Sequence, residues 1–342
     1  MRRTLIWVAL FAAADGLLGA GASEGGSRPA VRDGGTFRIS VLADDFDSID
    51  PAIGYTAVSG GLLETTCAKL LNNPDKRPPQ GFRSVPEVAT GYPRVSRDSK
   101  TFTFVIRAGF RFSNGAPVRA SAFARAINRV LSPALHSPGA QYVREIVGAN
   151  SVLAGKATSA KGVVARGNRL ILRFTRAVPD FPVRTTMSFF CAVPPNLPAD
   201  PEGAGAYPGA GPYYVAQYVR GRRVVLERNR FYRGKRPHHV ASFVVDFAES
   251  TYDGVLDRIE RGQADWAWAS PSSYHDPGRQ LARKYGVNKS QFWVQSGLGL
   301  NAFALNTSRP CFETTRGFGG QSTSRSTERH SAASSAVRWW ER

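Results

Sequence analysis

The chain is short of several chemistries. Its 342 residues include two methionines, three cysteines and five histidines, and only eight of its 45 basic residues are lysine. No HExxH, CxxC, GxSxG or Walker A pattern occurs, so metalloprotease, thiol-redox, serine-hydrolase and NTPase readings have no residues to stand on. Among the histidines only His238 and His239 are adjacent, and neighbours on a strand point to opposite faces, which makes a poor chelate. Asp44, Asp45, Asp47 and Asp50 lack the glycine and the distal glutamate of a calcium loop, so they read as turn and cap residues. No catalytic residue, metal or cofactor is expected, and the chain reads as a non-enzyme.

Long apolar runs are also missing. Leu5 to Ala14 is the one sustained stretch, and it is too short to cross a bilayer. With Arg2 and Arg3 before it and the small residues Leu18–Ser23 after it, residues 1–22 read as a secretory signal peptide and 23–33 as a linker. The alternative, a buried helix, is opposed by Asp15 and the Gly- and Ser-rich stretch that follows.

The formal net charge is +19, and without the leader's two arginines and the last 34 residues it is still +14. The arginines are read as scattered over the folded part, by an arginine-biased composition rather than a phosphate-binding face. No RNP, zinc-finger or basic-helix pattern supports nucleic acid as a partner. In an exported chain an even pair of cysteines is expected to bridge, so Cys67–Cys191 is the anticipated disulfide with Cys311 left over; two buried free thiols are the alternative.

What is present is a series of short, punctuated elements. Gly34–Val41 alternates as a strand, Ser59–Leu71 is helix-like, and Thr101–Arg107 alternates again. An Asn114-Gly115 turn precedes a helix over Ala120–Leu131, and Arg169–Phe174 is a further strand. Gly209-Ala210-Gly211-Pro212 opens a hairpin. Its strands carry Tyr213, Val215 and Tyr218, then Val224 and Leu226, around the tip Arg220-Gly221-Arg222. Tyr252–Arg261 is an amphipathic helix ending at Gly262, Ala264–Trp268 a strand, and Gln291–Leu305 a strand-like run.

Several of these segments, in order, resemble one family. Gly209–Val215 with Glu227-Arg228-Asn229-Arg230-Phe231-Tyr232 is similar to the GTGPY…ERNPxYW signature of family 5 extracellular solute-binding proteins, the peptide, oligopeptide and nickel receptors of bacterial ABC importers. Gly34–Val41 with Ser48-Ile49-Asp50-Pro51 resembles its opening strand and LDP turn. Phe110–Val118 resembles its FxDGxPV block, with Asn114 for the aspartate and Ala122 where an acidic helix residue is usual. Gly262-Gln263-Ala264-Asp265 resembles a G-x-x-D element, and Asn306–Pro310 the approach to a further domain. The resemblance covers roughly residues 34–310.

It implies an α/β fold, periplasmic-binding-protein-like type II (cluster C). Residues 34–58 and 185–296 would form lobe I, 59–184 an inserted subdomain and 297–310 the start of lobe II, most of which would be missing. It also implies a ligand cleft lined by backbone at Tyr55, Thr56 and Ala57, by Trp266 and Trp268, and by Asn301. For Trp266 and Trp268, core packing is the competing reading. The implied function is peptide or similar solute binding for an ABC permease by an exported, periplasmic or cell-surface monomer. Many such receptors carry a lipid on a cysteine after the leader; none lies between Leu18 and Pro29, so retention there would need other means.

After Pro310 the texture changes. Residues 311–342 are Ser/Thr/Ala-rich and lack periodicity. Gly317–Glu328 can be encoded by codons that, read one nucleotide out of frame, give Arg-Leu-Arg-Arg-Ala-Val-Asn-Phe-Ala-Ile-Asp-Arg, close to the family's sequence at that point. A frameshift is therefore the expectation, with an ordinary disordered tail as the alternative. Beside the transport reading stand a truncated, non-binding remnant and a sensing receptor of the same fold. Genes for a permease and an ATPase next to this one would favour import, and a sensor kinase gene would favour signalling.

Overall fold

A computed structural model describes residues 33–76, 79–267 and 277–294. The chain divides into two units, up to Ala269 and from Ser270 onward. In the first unit β1 (Thr36–Leu42) is followed by α1 (Ala57–Thr66), β2 (Leu71–Asn72), β3 (Val85–Pro86), β4 (Arg94–Val95) and β5 (Thr101–Val105). Then come α2 (Ala120–Val130), α3 (Ala149–Leu153), β6 (Val163–Arg166), β7 (Arg169–Arg173) and α4 (Phe181–Arg184). The hairpin β8 (Tyr213–Val219) and β9 (Arg223–Arg228), β10 (Ser242–Glu249), α5 (Tyr252–Glu260) and β11 (Trp266–Ala267) complete it. The second unit contributes α6 (Pro277–Tyr285) and a bridge between Val287 and Phe292.

Two main sheets organise the first unit. One has the order β11-β1-β10-β9-β8, with β1 parallel to β10 and β11 and the other pairs antiparallel. Alternation in β1 sends Phe37, Ile39 and Val41 to one face and Arg38 and Ser40 to the other. The first face joins Leu226, Val245, Phe247 and Tyr213 in a core on which Leu62 of α1 packs. Next to Arg38 and Ser40, α5 packs over β1, β10 and β11. β10 was not foreseen. It lies inside the sheet between β1 and β9, and its Phe243-Val244-Val245 run shows no period-2 alternation to read.

The second sheet, β4-β5-β7-β6, is antiparallel throughout. Phe102, Phe104, Leu170 and Leu172 point inward, and Phe123, Ile127 and Val130 of α2 share their core. Those three α2 residues recur at helical spacing, so a single face of the helix is apolar. Asn114 makes its turn by accepting the Ala116 N–H at 3.1 Å, with Gly115 at φ 85°. The asparagine thus performs the turn role that the family's aspartate would.

The expected Cys67–Cys191 disulfide is present, with the Cα atoms 5.2 Å apart, and ties the end of α1 to the turn after α4. The Gly-Pro-Tyr hairpin is scaffold. Gly211 donates its N–H to Thr66 O at 2.9 Å, and a Cβ at Gly211 would sit 2.6 Å from the Thr66 carbonyl carbon. The glycine is required because the strand lies directly against the end of α1. Asn229 is buried and donates to Gly211 O at 3.0 Å, which locks the second half of the signature to the first. Arg236 reaches back to Glu87 at 2.7 Å and to the carbonyls of Glu64 and Cys67. Gly211→Ala is expected to destabilise by about 1–3 kcal/mol through overpacking. Urea unfolding checks it, and an unchanged midpoint would contradict this role.

Three sequence expectations change. The helix read over Ser59–Leu71 ends at Thr66, and Leu71 lies in β2. Gln291–Leu305 was expected to be strand-like. Its described part, 291–294, shows only the Phe292 bridge, and the rest lies outside the described residues. The charge is not spread either. Residues 59–184 hold twenty Lys and Arg against six Asp and Glu, a net of +14, while 4–58 and 185–308 together sum to zero.

Candidate functional site

The loop from Asp47 to Ala57 is built by its own acidic residues. Asp47 accepts the backbone N–H of Tyr55 at 2.7 Å and of Thr56 at 3.2 Å, and the Thr56 hydroxyl at 3.1 Å. Burial works against its ionisation, but the Ser59 hydroxyl and the Tyr55 and Thr56 donors outweigh burial. The carboxyl therefore titrates below the usual carboxylate range and is charged at neutral pH. Asp50 turns the chain: its carbonyl accepts the N–H groups of Ile53 and Gly54, and its carboxylate meets Arg129 of α2. Asp47 and Asp50 thus shape the loop and turn, which is the turn role their spacing suggested, while the cap of α1 falls to Thr56.

Thr56 caps α1 by accepting the Ser59 N–H at 3.3 Å, so α1 begins at the expected site residues. Tyr55 is 55% exposed, its ring 5.8 Å from Phe189 and its hydroxyl 3.1 Å from that of Tyr142. Tyr142 also stacks on Phe189 at 5.9 Å, and its bond to Tyr55, with burial, raises its phenol above the ordinary value. The three rings form an aromatic ledge beside the loop. Tyr142 and Phe189 lie 87 and 134 positions from Tyr55, and no local signal in one sequence links them.

Ala57 opens onto an apolar groove of about 320 Å³ between α1 and the sheet. Its walls include Val58 and Gly61 of α1, Phe37 and Ile39 of β1, and Trp266 of β11. Trp266 is 42% exposed at the sheet edge, where it pairs with Ile39 in parallel register, so it is only partly committed to the core. The structure therefore brings Ala57 and Trp266 to one groove and sets Tyr55 and Thr56 just before it along the chain. Trp268 and Asn301 lie outside the described residues. Among the described residues, no group of three or more His, Cys, Asp or Glu side chains could hold a metal, and no helix is long and apolar enough to cross a membrane. Such a wall presents an apolar, aromatic surface beside a loop whose Tyr55 and Thr56 N–H groups are held by Asp47. That suits the binding of a solute.

Comparison with known proteins agrees with this construction. The family model for the bacterial extracellular solute-binding proteins, family 5 (middle region), matches residues 83–316. Oligopeptide-binding protein OppA of Bacillus subtilis (strain 168) is 28% identical over 242 residues, which is 68% of this chain and 42% of the relative. Periplasmic oligopeptide-binding protein OppA of Haemophilus influenzae is 26% identical over 224 residues, 63% of this chain and 40% of the relative. Among solved structures, clavulanic acid biosynthesis oligopeptide binding protein 2 superposes with a TM-score of 0.66 at 24% identity, over 75% of this chain and 47% of that one. The Haemophilus influenzae OppA complex with RPPGFSPFR gives 0.58 at 22% identity, over 73% and 48%. These structural likenesses establish the mixed α/β fold. The chain spans about two fifths of the length of these curated relatives and about half of the structures'. With more than half of its residues matched by the family model, the chain belongs to the bacterial extracellular solute-binding proteins of family 5, a family of binding proteins rather than enzymes.

Proposed function

We propose that the protein binds peptides or chemically similar solutes for an ABC permease, as an exported, periplasmic or cell-surface monomer whose leader is residues 1–22. The observation that carries this reading is the Asp47-anchored Tyr55–Ala57 segment opening onto the groove beside Trp266. Extended peptides are held with their side chains in roomy apolar pockets, and the groove beside Ala57 and Trp266 offers such a surface. The names of the relatives, which bind oligopeptides, point the same way. In this reading the five-stranded sheet belongs to lobe I (34–58 and 185–296), the four-stranded sheet to the inserted subdomain (59–184), and lobe II begins at 297–310. Trp266 and Tyr55 serve as aromatic walls; Trp268 and Asn301 are further cleft positions.

Calorimetry of the 342-residue chain with mixed oligopeptides tests the proposal. One wall of a cleft is expected to bind weakly, with Kd no tighter than about 10 µM. Trp266→Ala is expected to weaken binding by about tenfold, since a lost aromatic contact is worth about 0.5–1.5 kcal/mol beyond its area. Unchanged affinity in a folded Trp266→Ala protein would remove the tryptophan from the site. Absence of heat with every peptide, at concentrations well above the expected Kd, would favour the non-binding remnant.

A further inference from the structure

The geometry points to a second surface: the outward face of the β4-β5-β7-β6 sheet docks on an anionic lipid bilayer. It rests on the transport reading only in placing this exported protein beside a membrane. The face is defined by strand register. Thr101, Thr103 and Val105 of β5 point away from the core, as do Arg169, Ile171 and Arg173 of β7. Arg94 lies opposite Thr103, and Arg166 lies opposite Arg169. Four exposed arginines thus surround a centre of threonine, valine and isoleucine. Among the described residues none of the four forms an ion pair, in contrast to Arg129, Arg184 and Arg236 of the same unit. The inner face of the sheet is filled by α2 and its core; among the described residues no helix packs on the outer one as α2 does on the inner, and its central side chains are half-buried among themselves and the arginines.

The charge of the chain is concentrated in this region. An arginine-rich composition would raise charge throughout, yet the excess within 4–308 is contained in 59–184. The occupant follows from complementarity. Guanidinium groups pair bidentately with phosphate oxygens; Arg169 and Arg173 are four residues apart on β7, roughly 13 Å at the rise of a strand, so these two reach separate headgroups. The centre has no aromatic side chain on which unstacked bases could lie, which disfavours a single-stranded nucleic acid. With arginines around its rim the contact is electrostatic and peripheral, of the kind anionic leaflets make with basic surfaces.

Sedimentation of the full chain with vesicles tests the inference. Phosphatidylcholine vesicles are compared with vesicles carrying about 30% phosphatidylglycerol, at low salt and at about 0.5 M NaCl. Binding is expected only to the anionic vesicles and only at low salt. The triple variant Arg166→Glu/Arg169→Glu/Arg173→Glu is expected to bind roughly 100-fold more weakly. The variant Arg222→Glu/Arg230→Glu/Lys235→Glu, with the same change in net charge on another part of the surface, is expected to lose less than about fivefold. Circular dichroism and thermal melting confirm that both variants are folded. Equal losses in the two variants, salt-insensitive binding, or binding to a DNA duplex but not to vesicles would each overturn the inference. The assay needs no peptide, so its failure and failure of the solute-binding reading are separable.

Discussion

Arg129→Met is expected to cost about 3–5 kcal/mol of folding stability, because it strands a buried carboxylate. Asp50 is 0% exposed and Arg129 8%, and the pair is bidentate, Nη1 to Oδ1 at 2.9 Å and Nη2 to Oδ2 at 2.7 Å. The Asp50 carboxylate also accepts the Ala52 N–H at 2.9 Å and the Ala204 N–H at 3.1 Å, while Arg129 donates to Pro198 O at 2.6 Å. One ion pair therefore joins the turn before α1, helix α2 and the 198–204 loop. The Coulombic gain of such a pair is largely offset by desolvation, so its net contribution to stability is small. Loss of one partner is different, since the remaining charge keeps the penalty without the compensation. Equilibrium urea unfolding of Arg129→Met, Asp50→Asn and the double variant separates the cases. The double variant is expected to be more stable than Arg129→Met alone, and strict additivity would contradict the pairing account.

Opening the Cys67–Cys191 bridge should cost about 3–5 kcal/mol, the range the chain-entropy argument gives for a long closed loop. The cysteines are 124 positions apart, and the loop between them contains the whole four-stranded sheet and α2. Both sulfurs are buried against Leu63, so Cys67→Ala/Cys191→Ala is a better test than serine, which would bury new hydroxyls. The variant is expected to unfold at lower urea, and reduction of the wild type should lower its midpoint similarly. A wild-type midpoint indifferent to reductant would show that the folded packing, not the bridge, carries this stability.

Local chemistry was legible; long-range partnership was not. The β8–β9 hairpin could be read from Gly211, Pro212 and the alternating apolar positions, and α2 from its helical spacing, because each signal lies within one element. The Thr56 cap follows from a threonine just ahead of a helix. Asp50 gave no comparable sign, since Arg129 lies 79 positions away and reaches it only through the packing of α2. β10 carries no alternation in its Phe243-Val244-Val245 run, unlike β1 of the same sheet, and its Asp246 disguises it further. That aspartate is held by Arg223 at 3.3 Å and Arg258 at 3.4 Å. The arginine face was hidden in the same way. Arg166, Arg169 and Arg173 look scattered in sequence and come together only in the register of β6 and β7.

The central claim is that Tyr55, Thr56, Ala57 and Trp266 form one wall of a solute site. Amide and indole NMR shifts of the isotope-labelled chain, followed during titration with mixed oligopeptides, test it most directly. The account expects saturable shifts in the backbone amides of Tyr55, Thr56 and Ala57 and in the Trp266 indole, with the outer face of the four-stranded sheet unmoved. Saturable shifts centred elsewhere, with those four residues silent, would contradict it.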